Sequence, residues 1–327
     1  MQKYLSVKET AEKWGVSQAL VRRYCGQGRI PNAKHKNGTW LIPEKAKKPD
    51  KIDPVLTEKE LPVLAKRLVH QKNNRRNYHG LYDYVQIYLT YTSSRMASNR
   101  LTMDQMETIF RKGKVRVAFE PMKVSDCIEV LNHFVCVDYI IDHVGEPITQ
   151  KMLQQLHYTL MFGTVDHRKK QVTPGIYRNA SATKRVRKMP DPSKINGCLS
   201  SLISSYEALS EIGLAQILDF HVQLEEIVPF EDGNGRIGRL VMFKECLRHG
   251  VTPFIIDDKR RSQYLTGIRT WQDDKMTLMQ VSAVAQERFE RVIALNKLSD
   301  FRRADFVDMY AAIERGWHYD DDECDEE

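Results

Sequence analysis

Apolar residues at Leu214, Ile217, Leu218, Val222, Leu224 and Ile227 recur with a helical period and predict a buried helix, which Pro229 ends. The period restarts over Arg236, Arg239, Leu240, Phe243 and Lys244, so two helices flank a short loop. At the other end of the chain, Ser6 and Glu9 have the spacing of a capping box that opens a helix through Trp14, and Gly15 supplies its left-handed stop. Ser17 opens a second helix, Gln18 to about Gln27, which turns Leu20, Val21 and Tyr24 inward and Arg22 and Arg23 outward before Gly28. Two extended runs, Lys34–Lys36 and Thr39–Pro43, then surround an Asn37-Gly38 turn and predict a hairpin wing.

These patterns predict a mainly α-helical protein with a small winged helix-turn-helix domain over residues 1–48. Lys45 to Pro54 has no apolar period and reads as a linker. Leu56, Leu61, Leu64, Leu68 and Val69 predict an amphipathic helix bridging the modules, so 49–77 is taken as linker and helix. A helical domain over 78–295 follows, then a C-terminal helix and acidic tail over 296–327. The tail ends with seven acids in eight residues, Asp320 to Glu327, and is expected to be solvated or, as a weaker reading, to fold back on the basic domain.

Charge sharpens this division. Residues 1–51 hold twelve Lys/Arg against four Asp/Glu, whereas the other 38 basic and 39 acidic residues nearly cancel. A local basic surplus on a helix-turn-helix is the electrostatic footprint of DNA binding, with Arg22 and Arg23 on the recognition helix and Lys34 and Lys36 on the wing. The module resembles excisionase- and MerR-type winged domains, which implies the same partner. Such modules also mediate protein contacts.

Six cysteines, Cys25, Cys127, Cys136, Cys198, Cys246 and Cys324, are scattered without metal-ligand spacing and suit a reducing cytoplasm. No apolar run approaches the ~20 residues of a membrane span, so a soluble location with no membrane partner is expected. Neither a Gly-x-Ser-x-Gly elbow nor a His-Glu-x-x-His motif is present, which sets aside the common hydrolase and zincin classes.

The loop between the two central helices carries the strongest chemistry. Gly233 and Gly235 permit positive φ, and Asn234 tolerates it, so successive N–H groups can form an anion-binding concavity at a helix N-terminus. Arg236 and Arg239, three apart, share a helical face suited to clamping phosphates, and Asp232 suits a hard cation such as Mg²⁺.

The run Val228-Pro229-Phe230-Glu231-Asp232-Gly233-Asn234-Gly235-Arg236-Ile237-Gly238-Arg239 resembles the Fic (Fido) family motif, His-Pro-Phe-x-Asp/Glu-Gly-Asn-Gly-Arg-x-x-Arg, at eleven of twelve positions. The resemblance implies a helical Fic core with a short β-hairpin flap, ATP and Mg²⁺ as ligands, AMP transfer to a protein, and a bacterial host. In that family the first motif residue is the general base; here it is Val228, which accepts no proton. Ser93 to Thr102 resembles the family's inhibitory segment, with Ala97 at the position of the glutamate that pairs with the second arginine, here Arg239. Gly175, Ile176 and Tyr177 resemble the start of the flap that docks a target segment, and Tyr264 occupies the place of a tyrosine near the nucleotide base. A core tyrosine is the other reading of Tyr264.

His221 lies two turns before Val228, ~10 Å along the helix, too far to replace the base. Glu225, Glu226 and Glu231 are nearer but read as solvated carboxylates. The sequence therefore predicts a nucleotide-responsive DNA-binding regulator or pseudoenzyme that binds ATP and Mg²⁺ with AMP transfer impaired. The alternatives are an active or engineered-inactive adenylyltransferase, and a homodimeric scaffold that binds no nucleotide. Buried Arg236 and Arg239 count against the scaffold, since guanidiniums without an anion are costly to bury.

Overall fold

Ser6 and Glu9 form the reciprocal cap that their spacing predicts. Glu9 N–H donates to Ser6 Oγ at 3.2 Å, Ser6 N–H donates to Glu9 Oε2 at 2.8 Å, and Gly15 closes the helix at φ 62°. The computed structural model describes residues 3–48, 56, 60–74, 80–115, 123–179 and 189–297, except 17, 19, 20, 23, 24, 26–29, 37 and 38. The chain folds as two compact units, Met1–Val55 and Leu56–Glu327.

In the smaller unit, β1 (Tyr4–Leu5), α1 (Val7–Trp14), β2 (Lys34–Lys36) and β3 (Thr39–Pro43) form a three-stranded antiparallel sheet, order β1-β3-β2, with a helix. The wing register pairs Lys34 with Leu41, His35 with Trp40 and Lys36 with Thr39. Val7, Ala11, Val21, Cys25, Ile30 and Ile42 make its core. Val21, Arg22 and Cys25 are helical, with Arg22 exposed, and β2 is exposed along its length. Arg23, Ser17, Leu20, Tyr24 and the Asn37-Gly38 turn lie outside the described residues, as does the acidic tail.

The larger unit is helical: α2 (Val63–Asn73), α3 (Leu81–Tyr84), a π-helical turn (Val85–Leu89), α4 (Thr90–Met96), α5 (Met103–Lys112), α6 (Val124–Asp142), α7 (Gln150–Met161), α8 (Val165–Arg168), α9 (Ile195–Glu207), α10 (Leu214–Ile227), α11 (Asn234–Arg248), α12 (Arg261–Thr270) and α13 (Met276–Lys297). The amphipathic helix expected here is α2, and it packs within the larger unit, where Leu61, Ala65 and Leu68 join the main core. Its apolar stripe is covered by that core.

The α10–α11 hairpin is held between two apolar clusters. Phe220, Leu224 and Ile227 face one, with Ile237, Leu240 and Phe243, while Ile217, Leu218 and Val222 face the other, with Met242 and Cys246. Every residue of α11 from Arg236 to Arg248 is buried. A helix buried all round must pair its charges internally. Lys244 and Arg248 do so, with Glu245 and Glu207.

Candidate functional site

The loop between α10 and α11 is fixed by its own side chains. Asn234 Oδ1 accepts from Phe230 N–H at 3.0 Å and its Nδ2 donates to Phe230 O at 2.8 Å. Gly233, at φ 78°, caps α11 and its carbonyl accepts from Ile237 N–H. A Cβ there would stand 3.2 Å from Leu160 Cδ2, so glycine is needed for space as well as for φ. Phe230 is buried and stacked on His157 at 3.9 Å, which locks the loop onto α7.

Val228 ends α10 in the left-handed conformation, φ 46° and ψ 65°. That is a true outlier for a β-branched residue and a strained position by ~1–3 kcal/mol. Arg178 over-determines it: its N–H donates to Pro229 O at 2.9 Å, its Nε to Val228 O at 2.7 Å and its Nη2 to Pro190 O at 2.7 Å. Arg178 thus joins the Gly175–Tyr177 segment to the motif loop, a role that no local spacing marks.

Gly175 (φ 77°) donates its N–H to His157 Nδ1 at 2.9 Å, Tyr177 Oη donates to Gln150 Oε1 at 2.9 Å, and Ile176 is 54% exposed. Gly175 lies in a turn that Ile176 N–H closes on Thr173 O, and the three form no strand ladder among the described residues; residues 180–188, where the expected hairpin would continue, lie outside them.

Both motif arginines are buried and already partnered. Arg236 Nη1 donates to Glu129 at 2.7 Å and Nη2 to Asp232 Oδ2 at 3.0 Å, while Nε is buried with no partner among the described residues. Asp232 keeps 54% of its side chain exposed. Glu129, 107 positions away on α6, was not foreseen; burial raises its pKa, and Arg236 pulls it back.

Arg239 Nε donates to Ser93 Oγ and Nη2 to Ser93 O, each at 3.0 Å. The segment resembling the inhibitory element thus reaches Arg239 through Ser93, while Ala97, four residues later, is exposed at the end of α4. Internal partners thus meet part of the hydrogen-bonding demand of both guanidiniums, while Arg236 Nε is left without one among the described residues.

Tyr264 is 0% exposed and its hydroxyl lies 2.6 Å from His221 Nε2. Packing around α12 encloses the ring, which supports the core reading of Tyr264. Burial also depresses His221, to about 3, and places it at the hydroxyl of Tyr264. The reading of Glu225 as solvated is corrected: its Oε1 is buried and has no partner among the described residues.

His157 carries no motif signal in the sequence, yet it sits under the loop. Its Nδ1 accepts from Gly175, so the proton sits on Nε2, and burial lowers its pKa to about 4. A neutral ring with Nε2–H is a donor at that nitrogen rather than a base.

Among the described residues no cluster of three or more His, Cys, Asp or Glu is arranged to hold a metal. A cation at Asp232 would therefore take its remaining ligands from water and phosphate oxygens, the usual habit of Mg²⁺. The half-exposed Asp232 and the partnerless Arg236 Nε fit a metal-bound polyphosphate at the N-terminus of α11.

Comparison with known proteins agrees with this reading of the fold. Residues 147–246 match the Fic/DOC family and residues 4–46 a helix-turn-helix domain. Protein adenylyltransferase Fic of Drosophila grimshawi is 28% identical over 185 residues, covering 53% of this chain and 35% of that protein; the Drosophila melanogaster protein of that name gives the same figures. The chain spans about a third of the length of the curated relatives it matches. A Fic-domain-containing signaling protein from Bacteroides thetaiotaomicron superposes with TM-score 0.55 at 19% identity, over 71% of this chain and 94% of that one. Fic-1 from C. elegans gives 0.54 at 17% identity, over 72% and 73%. The chain thus carries a region that matches the Fic/DOC family, residues 147–246, after an N-terminal region that matches a helix-turn-helix domain, residues 4–46.

Proposed function

We propose that the Fic domain binds ATP with Mg²⁺ but transfers AMP poorly, and that its occupancy regulates the helix-turn-helix module. Val228 carries this reading: the position keeps its left-handed backbone, held by Arg178, yet presents an aliphatic side chain that accepts no proton. General-base help of ~10²–10⁴ in rate is thereby lost while the phosphate-binding parts remain.

The N-terminus of α11, Gly233, Asn234, Gly235 and Arg236 would hold phosphates, Arg239 would meet a further phosphate on releasing Ser93, and Asp232 would hold Mg²⁺. When bound, the cation supplies charge neutralisation between phosphate groups. Arg22, Arg23, Lys34 and Lys36 are assigned to DNA, and Gly175, Ile176 and Tyr177 to a protein segment docked beside the loop. Homodimerisation, a bacterial cytoplasmic setting and the division at residues 48, 77 and 295 belong to the same reading.

Two other readings each have one observation in their favour. Curated relatives are named adenylyltransferases, which favours residual or ancestral transfer activity. The internal pairing of Arg236 and Arg239 favours a scaffold, because protein groups already take much of what an anion would supply. Regulation requires that nucleotide change DNA affinity, typically by 1–3 kcal/mol in coupled systems. Operator titrations with and without ATP–Mg²⁺ test this directly; equal DNA affinity would leave no regulatory coupling.

A further inference from the structure

The exposed Ala97 brings no carboxylate to Arg239, but a carboxylate from α10 lies near it. Glu225 lies on α10, three residues before Val228. A Cβ on Gly235 would stand 3.0 Å from Arg239 Nη1 and 3.5 Å from Glu225 Oε1, and a Cβ on Gly238 would stand 2.8 Å from that same oxygen. The two charged groups therefore share the groove that the glycines leave along α11. Oε1 is buried there with no hydrogen-bond partner among the described residues. Arg239 Nε and Nη2 donate to Ser93.

We propose that Glu225 is an internal counter-charge to Arg239, standing where its carboxylate opposes any phosphoryl group that approaches that guanidinium. The inference rests on the nucleotide-binding reading and adds a determinant of ligand charge to it. Burial raises the Glu225 carboxyl and remains the larger influence, while the Arg239 guanidinium draws it back towards the charged form. In low dielectric, such opposition is felt over several ångströms.

The rest of the site points the same way. Arg236 is already neutralised by Glu129 and Asp232, so with Glu225 three carboxylates attend two guanidiniums. A bare polyphosphate meets an unfavourable field in that site, whereas one whose charge is reduced by a divalent cation does not. The glycines are part of the device, since alanine at 238 would collide with Glu225 Oε1.

The test uses the full chain with Glu225→Gln, Arg239→Ala and the double variant. Calorimetry would follow ATP–Mg²⁺ and, as an uncharged control, adenosine. A ¹³C NMR titration of the Glu225 carboxyl, with and without Arg239→Ala, needs no ligand. Glu225→Gln is expected to tighten ATP–Mg²⁺ about tenfold, to leave adenosine unchanged, and to have no effect when Arg239 is absent.

The Glu225 carboxyl is expected to titrate at higher pH in Arg239→Ala. The unfolding midpoint of each variant checks its fold. Unchanged or weakened ATP–Mg²⁺ binding by Glu225→Gln, beside a parent that binds, would overturn the inference. If no variant binds nucleotide, the functional reading fails by itself, and a Glu225 titration unmoved by Arg239→Ala overturns the pairing independently.

Discussion

Ser93 grips Arg239 through two atoms across 146 positions of sequence: Oγ accepts from Nε and the carbonyl oxygen from Nη2, each at 3.0 Å. The α4 helix is thereby tied to the second motif arginine without the charge that its resemblance to an inhibitory segment implied. Ser93→Ala leaves a buried guanidinium N–H without its acceptor, so stability is expected to fall by about 1–3 kcal/mol. Urea unfolding measures this; no loss would mean that the Oγ contact is absent in solution.

Val228 is strained by its positive φ, and a residue that tolerates the left-handed region relieves it. Val228→Asn is expected to stabilise the chain by about 1 kcal/mol, read as a higher urea midpoint with an unchanged slope. A lower midpoint would show that the valine side chain contributes more packing than its backbone loses in strain.

Acid should destabilise the fold through its buried histidines. Burial holds His133 at about 3, His157 at about 4 and His221 at about 3, each below the ordinary value of 6.5. A depressed folded pKa gives stability that is fully present above the unfolded value and lost as pH falls through the folded one. For His157 the window runs from 6.5 to about 4. Each such histidine costs up to ~1.4 kcal/mol per pH unit there. Glu129 and Glu225, raised by burial, act in the opposite sense, losing stability as pH rises. The difference between parent and His157→Gln isolates the histidine: the variant is expected to show a shallower decline, and an identical slope would contradict its buried neutral state.

For the smaller unit, Arg22→Ala and the pair Lys34→Ala, Lys36→Ala are expected to weaken DNA binding most at low salt. Each lost phosphate contact should reduce the slope of log K against log salt by about 0.9. Fluorescence anisotropy across a salt series reads this directly, and an unaltered slope would move the DNA contact elsewhere.

Much of the architecture was legible because its signals are local. The Ser6–Glu9 cap, the Gly15 stop, the wing strands and the α10–loop–α11 unit all follow from spacing and turn chemistry. The partners of the motif arginines were not, because Glu129 and Ser93 are 107 and 146 residues away and carry no periodic mark. Glu225 was misread for a related reason: a carboxylate among other acids looks solvated until the bare flanks of Gly235 and Gly238 are seen to receive it. Tyr264 shows the converse, a motif-like position that tertiary packing encloses.

The most direct test of the central claim is calorimetry of ATP–Mg²⁺ on the full chain, with Arg239→Ala as control, and label transfer from α-³²P ATP measured on the same samples and on Val228→His. Saturable binding by the parent is expected, weakened by Arg239→Ala, with little or no transfer until histidine at 228 raises it ~10²–10⁴-fold. Rapid transfer by the parent, or no heat of binding at all, would contradict the claim.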